Sequence, residues 1–191
     1  MSQTKFLLFD SVDECGKTTF INRLVKYDLI EGFGPFSHVK ELKFPKVLPS
    51  GALLRINDEK SFELIFTLFE SLDQSYTYIL DRFIMSNLVY DKVLRGEDTS
   101  LSLHYYNEFK RRFAVAEVLL TRPHISEDFV DDKISLTRDQ FNQCIDEYKK
   151  FGTNYQLLLR DSEGSIVGPN QDIDDRIFRN CVNFVCHGTK F

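Results

Sequence analysis

No stretch of the 191 residues approaches the roughly 18 uninterrupted apolar residues that a membrane-spanning helix needs, and the opening MSQTKFLLFD lacks the cleavage pattern of a secretory signal. A cytoplasmic protein without a membrane partner is therefore expected. Cysteine is scarce and unpatterned. Cys15, Cys144, Cys181 and Cys186 form no C-x-x-C pair and no zinc-ligand spacing, which favours free buried thiols in a reducing compartment. Basic charge is short as well: 24 Lys and Arg against 29 Asp and Glu leave a net charge of −5. The chain thus has no global field favouring polyanions, and any nucleic-acid contact needs a local basic patch. The triplet Lys110-Arg111-Arg112 is the one basic cluster, and a solvated helix face accounts for it. Internal repeats and low-complexity linkers are also missing. What remains, 191 residues with 42% hydrophobic content, is enough for one domain that buries roughly 70% of its unfolded surface.

Short apolar runs alternate with helix-like stretches along the chain, which is the pattern of an α/β fold. Residues 5–9, 38–42, 76–80, 114–120 and 155–159 read as strands. Residues 17–30, 58–73, 84–95, 99–112, 137–151 and 171–186 read as helices. Five strands joined by crossover helices predict a mainly parallel sheet, wound right-handedly and flanked by helices on both faces. Ligands of such sheets bind outside the carboxyl ends of the strands. Segments starting near residues 10, 81 and 121 all begin where a predicted strand ends.

The first of these segments lies in FLLFDSVDECGKTTF, residues 6–20. A phosphate-binding loop needs a strand, a tight turn whose N–H groups point inward, then Lys and Ser or Thr in the first turn of a helix, where the dipole favours anions. Residues 6–24 supply that order, with Ser11 where the motif takes glycine. A small residue still lets the backbone approach there if its φ is negative. In this reading Lys17 contacts the β- and γ-phosphates of ATP and Thr18 ligates Mg²⁺. The amides of Glu14, Cys15, Gly16, Lys17, Thr18 and Thr19 cradle the phosphates. A surface turn opening a helix is the bland alternative. In the second segment, YILDRFIMSNLVYDKV (78–93), Asp81 ends a buried strand where a ligand of Mg²⁺-bound water belongs, and Arg82 beside it can hold a phosphate. An N-cap Asp with a solvated Arg explains the pair equally well.

S-V-D-E-C-G-K-T-T together with D-R-F-x-x-S-x-x-V-Y resembles the thymidylate kinase family. The phosphate loop of that family looks like G-x-D-x-x-G-K-[ST], and its second motif like D-R-Y-x-x-S-x-x-A-Y-Q. Asp13, Gly16, Lys17 and Thr18 fall on the first. Asp81, Arg82, Phe83 (for Tyr), Ser86, Val89 (for Ala) and Tyr90 fall on the second, with the spacing kept. ELIFTLF (63–69) looks like the base-binding helix, which implies Phe66 as the face stacked on the acceptor base; a core Phe is the alternative in a chain with 18 phenylalanines. KFPKVLPSG (43–51) looks like the F-P-x-R segment, and DQFNQCIDEYKKFG (139–152) like the helix after the lid.

The resemblance implies one P-loop kinase domain over residues 1–191, with a short lid at about 121–136. It implies transfer of the γ-phosphate of Mg·ATP to a deoxynucleoside monophosphate similar to dTMP or dUMP, and a homodimer. Asp13 accepts a hydrogen bond from the sugar 3′-hydroxyl, Tyr90 sits near the 2′ position to exclude ribose, and Lys46, Arg82 and Ser86 complete the acceptor side. The chain departs from the family at the transition-state arginine. Position 14 is Glu14, and the lid stretch TRPHISEDFVDDKIS (121–135) is acidic. Arg122, at the end of the fourth predicted strand, is the best remaining cation, with Arg138 behind it. The F-P-x-R arginine falls on Val47, one place after Lys46, and Glu70 stands where the base helix has an arginine; Arg55 is a candidate replacement. Two alternatives stay open. One is a kinase of an uncharged hydroxyl, a deoxynucleoside or a hydroxymethylated pyrimidine, conceivably within DNA. The other is a nucleotide-binding module without catalysis.

Overall fold

The computed structural model describes residues 3–30, 38–43, 56–126, 136–188 and 190–191. In chain order the elements are β1 (Lys5–Ser11), α1 (Lys17–Ile30), β2 (His38–Leu42), α2 (Glu59–Glu70), β3 (Tyr76–Asp81), α3 (Ile84–Arg95) and α4 (Ser100–Arg112). They continue with β4 (Ala114–Leu120), α5 (Arg138–Tyr148), β5 (Asn154–Tyr155), β6 (Leu158–Arg160), β7 (Ile166–Pro169) and α6 (Gln171–His187). Five strands form one sheet in the order β2-β3-β1-β4-β5, and every pairing in it is parallel. This is the α/β architecture that the alternating pattern predicts.

β1 takes the centre because its run Phe6-Leu7-Leu8-Phe9 is apolar on both faces, and all four side chains are completely buried. Each such burial is worth about 1.5–3 kcal/mol, which a strand at the sheet edge would partly forfeit. Phe6 anchors an aromatic cluster with Phe69, Phe109 and Phe113 at centroid distances of 4.7, 5.3 and 5.2 Å. Helices start and stop where local chemistry directs. Asp58 caps α2 by accepting the Ser61 N–H, and Thr137 and Gln140 form a reciprocal capping box on α5. Gly96 ends α3 in the left-handed region.

The strand registers bring the chemistry-bearing segments together. Phe9 pairs with Asp81 and Ser11 with Leu120, so the chain leaves β1, β3 and β4 at one edge of the sheet.

One expectation is corrected. Residues 155–159 are not a single strand: Asn154 and Tyr155 join the sheet, whereas Leu158–Arg160 turns away and pairs antiparallel with Ile166–Pro169. The apolar run YQLLL is continuous in sequence but serves two structures. Asp161 closes the hairpin by accepting the N–H groups of Glu163 and Ser165, each at 2.9 Å. The acidic stretch between 127 and 135, like Lys46, Val47 and Arg55, lies outside the described residues.

Candidate active site

Residues Ser11–Thr19 line a cavity of about 220 Å³ at the carboxyl edge of the sheet. Glu14 (φ 58°) and Gly16 (φ 84°) are both left-handed. Such turns aim successive N–H groups to one side and make an anion-binding concavity, here feeding directly into the first turn of α1. Ser11 is fully buried, still part of β1, and has no left-handed backbone. That is why a serine is tolerated there: the strand runs one residue further and the turn comes later, at Glu14 and Gly16. A Cβ at Gly16 would stand 3.3 Å from Leu158 Cγ, so β6 leans on the loop from behind. Thr18 and Thr19 are exposed on the first turn of α1.

Every cation near the loop is matched with an oxygen. The Lys17 ammonium, 7% exposed, meets the Asp81 carboxylate. Burial lowers the Lys17 pKa and the Arg82 charge adds to that, while Asp81 opposes both. The Arg82 guanidinium contacts Asp13 and donates to the Tyr90 hydroxyl at 2.9 Å. Arg122, only 5% exposed, pairs with Glu14 at 2.5 Å. Glu14 thus binds an arginine supplied by the segment that follows β4. Burial pushes the Cys15 thiol up to about 12, although Arg122, Arg82 and Arg160 each pull it down. That thiol is a packing group, not a nucleophile.

Arg160 went unremarked in the sequence. It donates to the Glu14 carbonyl at 2.8 Å and to the Gly164 carbonyl at 2.6 Å, tying the β6–β7 hairpin to the left-handed residue of the loop. Its signal was available: it is an arginine directly after the apolar run 155–159. The Nε atoms of Arg82, Arg122 and Arg160 are buried without a partner. The three guanidinium groups, gathered against Asp13 and Glu14, set positive charge beside the amide-lined cavity, which fits a polyanionic phosphate group. A Mg²⁺ ion is held by one or two carboxylates together with substrate phosphates and water. Asp81 and the exposed Thr18 hydroxyl match that donor set.

The acceptor-side expectations fare differently. Phe66 is fully buried, and its ring meets Tyr105, Phe109 and Phe113. It is a core residue, and no free face remains for a base. Ser86 turns inward, donating to Asp10 at 2.8 Å beside the Tyr148 hydroxyl. Tyr90 is 8% exposed and its hydroxyl is engaged by Arg82. Arg138 is exposed, pairs with its neighbour Asp139 at 3.2 Å and donates to the Ser126 carbonyl at 3.3 Å. The Lys110-Arg111-Arg112 triplet is matched by carboxylates: Lys110 with Glu117 at 3.6 Å, Arg111 with Glu108 at 2.6 Å and Arg112 with Glu63 at 3.0 Å. No helix among the described residues is long and apolar enough to cross a membrane.

No family model and no curated protein sequence matches the chain. Solved structures do match. The YorR protein of Bacillus subtilis, solved in complex with phosphorylated GDP, is 19% identical over 95% of either chain, with a TM-score of 0.51. Thymidylate kinase from Ehrlichia chaffeensis is 15% identical, covering 93% of this chain and 98% of its own, at a TM-score of 0.46. Thymidylate kinase from Candida albicans is 16% identical over 79% of either chain, also at 0.46. At these identities the likeness is one of fold. The all-parallel sheet and the loop after β1 make an α/β fold of the P-loop NTPase type, and the YorR structure is similar to it in fold. Thymidylate kinases, the family that the two sequence motifs resemble, are among the structures similar to it.

Proposed function

We propose that the chain is an ATP-dependent phosphotransferase that moves the γ-phosphoryl group of Mg·ATP to a deoxynucleoside monophosphate of the dTMP or dUMP kind. The observation that carries this reading is the meeting of Lys17–Asp81 and Arg82–Asp13 at one edge of the sheet, beside a loop with two left-handed residues. Residues 1–191 are read as one kinase domain, with its lid over 121–136, acting as a cytoplasmic homodimer.

Phosphoryl transfer asks a protein for positioning and for cancellation of charge more than for covalent help. The loop amides from Glu14 to Thr19 bind the phosphates, and the Lys17 ammonium exchanges Asp81 for phosphate oxygens. Asp81, so released, and Thr18 would hold Mg²⁺ and its water, and the ion would supply charge cancellation on the β- and γ-phosphates. Arg82 binds the acceptor phosphate. Asp13 accepts a hydrogen bond from the sugar 3′-hydroxyl, and Tyr90 restricts the 2′ position. Arg122, carried by Glu14, supplies the positive charge that a basic lid would otherwise give, and Lys46 remains a proposed contact of the acceptor. With Phe66 in the core, the face that orients the base falls to other residues.

The test is transfer of label from γ-labelled ATP, with Mg²⁺, to thymidine, deoxyuridine and deoxycytidine monophosphates, the free nucleosides, their hydroxymethyl analogues, and DNA containing the modified base. Label on a monophosphate is the expected result. Label only on an uncharged hydroxyl replaces the acceptor, and ATP binding without transfer leaves a nucleotide-binding module. The carboxylate-matched basic triplet supplies no groove for DNA.

A further inference from the structure

Asp10 is completely buried one residue before the end of β1, and it is not among the residues lining the cavity. Its carboxylate accepts four hydrogen bonds: from the N–H of Ser11 at 3.0 Å, the N–H of Phe83 at 3.4 Å, the Ser86 hydroxyl at 2.8 Å and the Tyr148 hydroxyl at 2.7 Å. Three of these bonds converge on Oδ1 and one reaches Oδ2. Desolvation raises its pKa, against the pull of Arg82, Tyr148, Ser86 and Lys17. Burying a carboxylate is costly unless hydrogen bonds offset the lost hydration, and this one needs its full set of donors. The location accounts for the cost. Arg82 has a left-handed backbone, φ 67°, a strain of roughly 1–2 kcal/mol for a residue with a side chain. The chain is pinned on both sides of that strain: the Arg82 N–H donates to the Phe9 carbonyl at 2.8 Å, and the next N–H donates to Asp10. The N-cap of α3, Phe83, has no side chain able to cap its helix, so Asp10 does this from the neighbouring strand, engaging Phe83 and Ser86 together. What leaves this clamped corner is the Arg82 side chain, which reaches Asp13 and Tyr90.

We propose that Asp10 is a positioning residue for phosphoryl transfer, acting through the Phe83–Ser86 corner to aim Arg82 across the cavity. The proposal rests on the kinase reading above. It explains why Ser86 faces inward: its hydroxyl serves the clamp. Tyr148 supplies the fourth donor from α5, which holds the Asp10 carboxylate in register with α3.

A double-mutant cycle separates this role from general support of the fold. Asp10→Asn is made alone and with Arg82→Ala, and kcat is measured on the acceptor that the panel labels, together with ATP affinity by calorimetry. Asp10→Asn is expected to lower kcat at least about tenfold with ATP affinity held within about twofold, and to cost nothing further once Arg82 is gone. Losses that add in the double variant overturn the proposal, as does an equal fall in ATP affinity. If Asp10→Asn fails to fold, Ser86→Ala and Tyr148→Phe each remove one donor and leave the carboxylate; their smaller kcat losses must also vanish in the Arg82→Ala background. A wild-type chain that labels no acceptor overturns the kinase reading and this one together, whereas an active wild type with additive losses overturns this one alone.

Discussion

The loop that lines the cavity and the side-chain network beside it are built on different principles. Nine consecutive residues, Ser11–Thr19, make the first, and backbone conformation at Glu14 and Gly16 does most of the shaping. The second is assembled from side chains of β1, α3 and the segments that follow β1 and β3, which satisfy one another: Arg82 with Asp13 and Tyr90, Ser86 with Asp10. Tyr148 of α5 closes that network from behind. A site made of backbone is local and tolerates substitution at its edges, as Ser11 demonstrates. A site made of side chains depends on packing from distant parts of the chain, so a change in one partner is felt by the rest.

Four substitutions sharpen or break that contrast. The largest effect is expected from Lys17→Ala, which should slow transfer by more than about 10³-fold, some 4 kcal/mol, while leaving the fold intact by circular dichroism. Unchanged turnover would remove the phosphate-loop assignment. Phe66→Ala comes next, with about 3 kcal/mol of stability lost in denaturant unfolding, as befits a fully buried ring. A selective rise in acceptor KM at unchanged stability would instead return Phe66 to the acceptor side. Arg122→Ala should reduce kcat about a hundredfold with little change in acceptor KM, and Arg122→Lys should recover part of it. A rise confined to ATP KM would make Arg122 a ground-state ligand. Gly16→Ala is the mildest, at roughly 1–2 kcal/mol for a side chain in a left-handed position. Pairing it with Leu158→Ala should relieve the crowding and leave the backbone strain, and the melting temperatures of the two variants measure the split.

Much of this was legible in the sequence where periodicity or a contiguous motif carried the information. The strands at 38–42 and 114–120 and the helices at 17–30 and 84–95 keep the bounds that the alternation of apolar runs predicts. Lys17 was singled out by its Gly-Lys-Thr motif and Asp81, Arg82 and Arg122 by falling at or just after strand ends, and the registers bring the ends of β1, β3 and β4 to one edge. Phe66 was harder to read, because a phenylalanine on an amphipathic helix looks the same whether it faces a base or Phe109. Only the arrival of α4 and the Phe113 ring decides. Asp10 and Tyr148 are 138 residues apart, and nothing in either local sequence announces the other. The β6–β7 hairpin was hidden for a different reason. YQLLL has one composition but two destinations, and strand pattern alone does not say where a sheet lets go of its chain.

The hairpin also bears on how the protein comes into being. Arg160 reaches the Glu14 carbonyl across 146 positions, and Leu158 stands behind Gly16. Contacts of such long separation close late, since the chain between them must first be ordered. A ribosome making this chain releases the glycine-lysine motif well before the two parts that steady it, β6 and its arginine, which stands 146 positions beyond Glu14. The loop is written first and finished last, so a nascent chain halted before β6 would carry the whole motif without the brace that holds its left-handed turn.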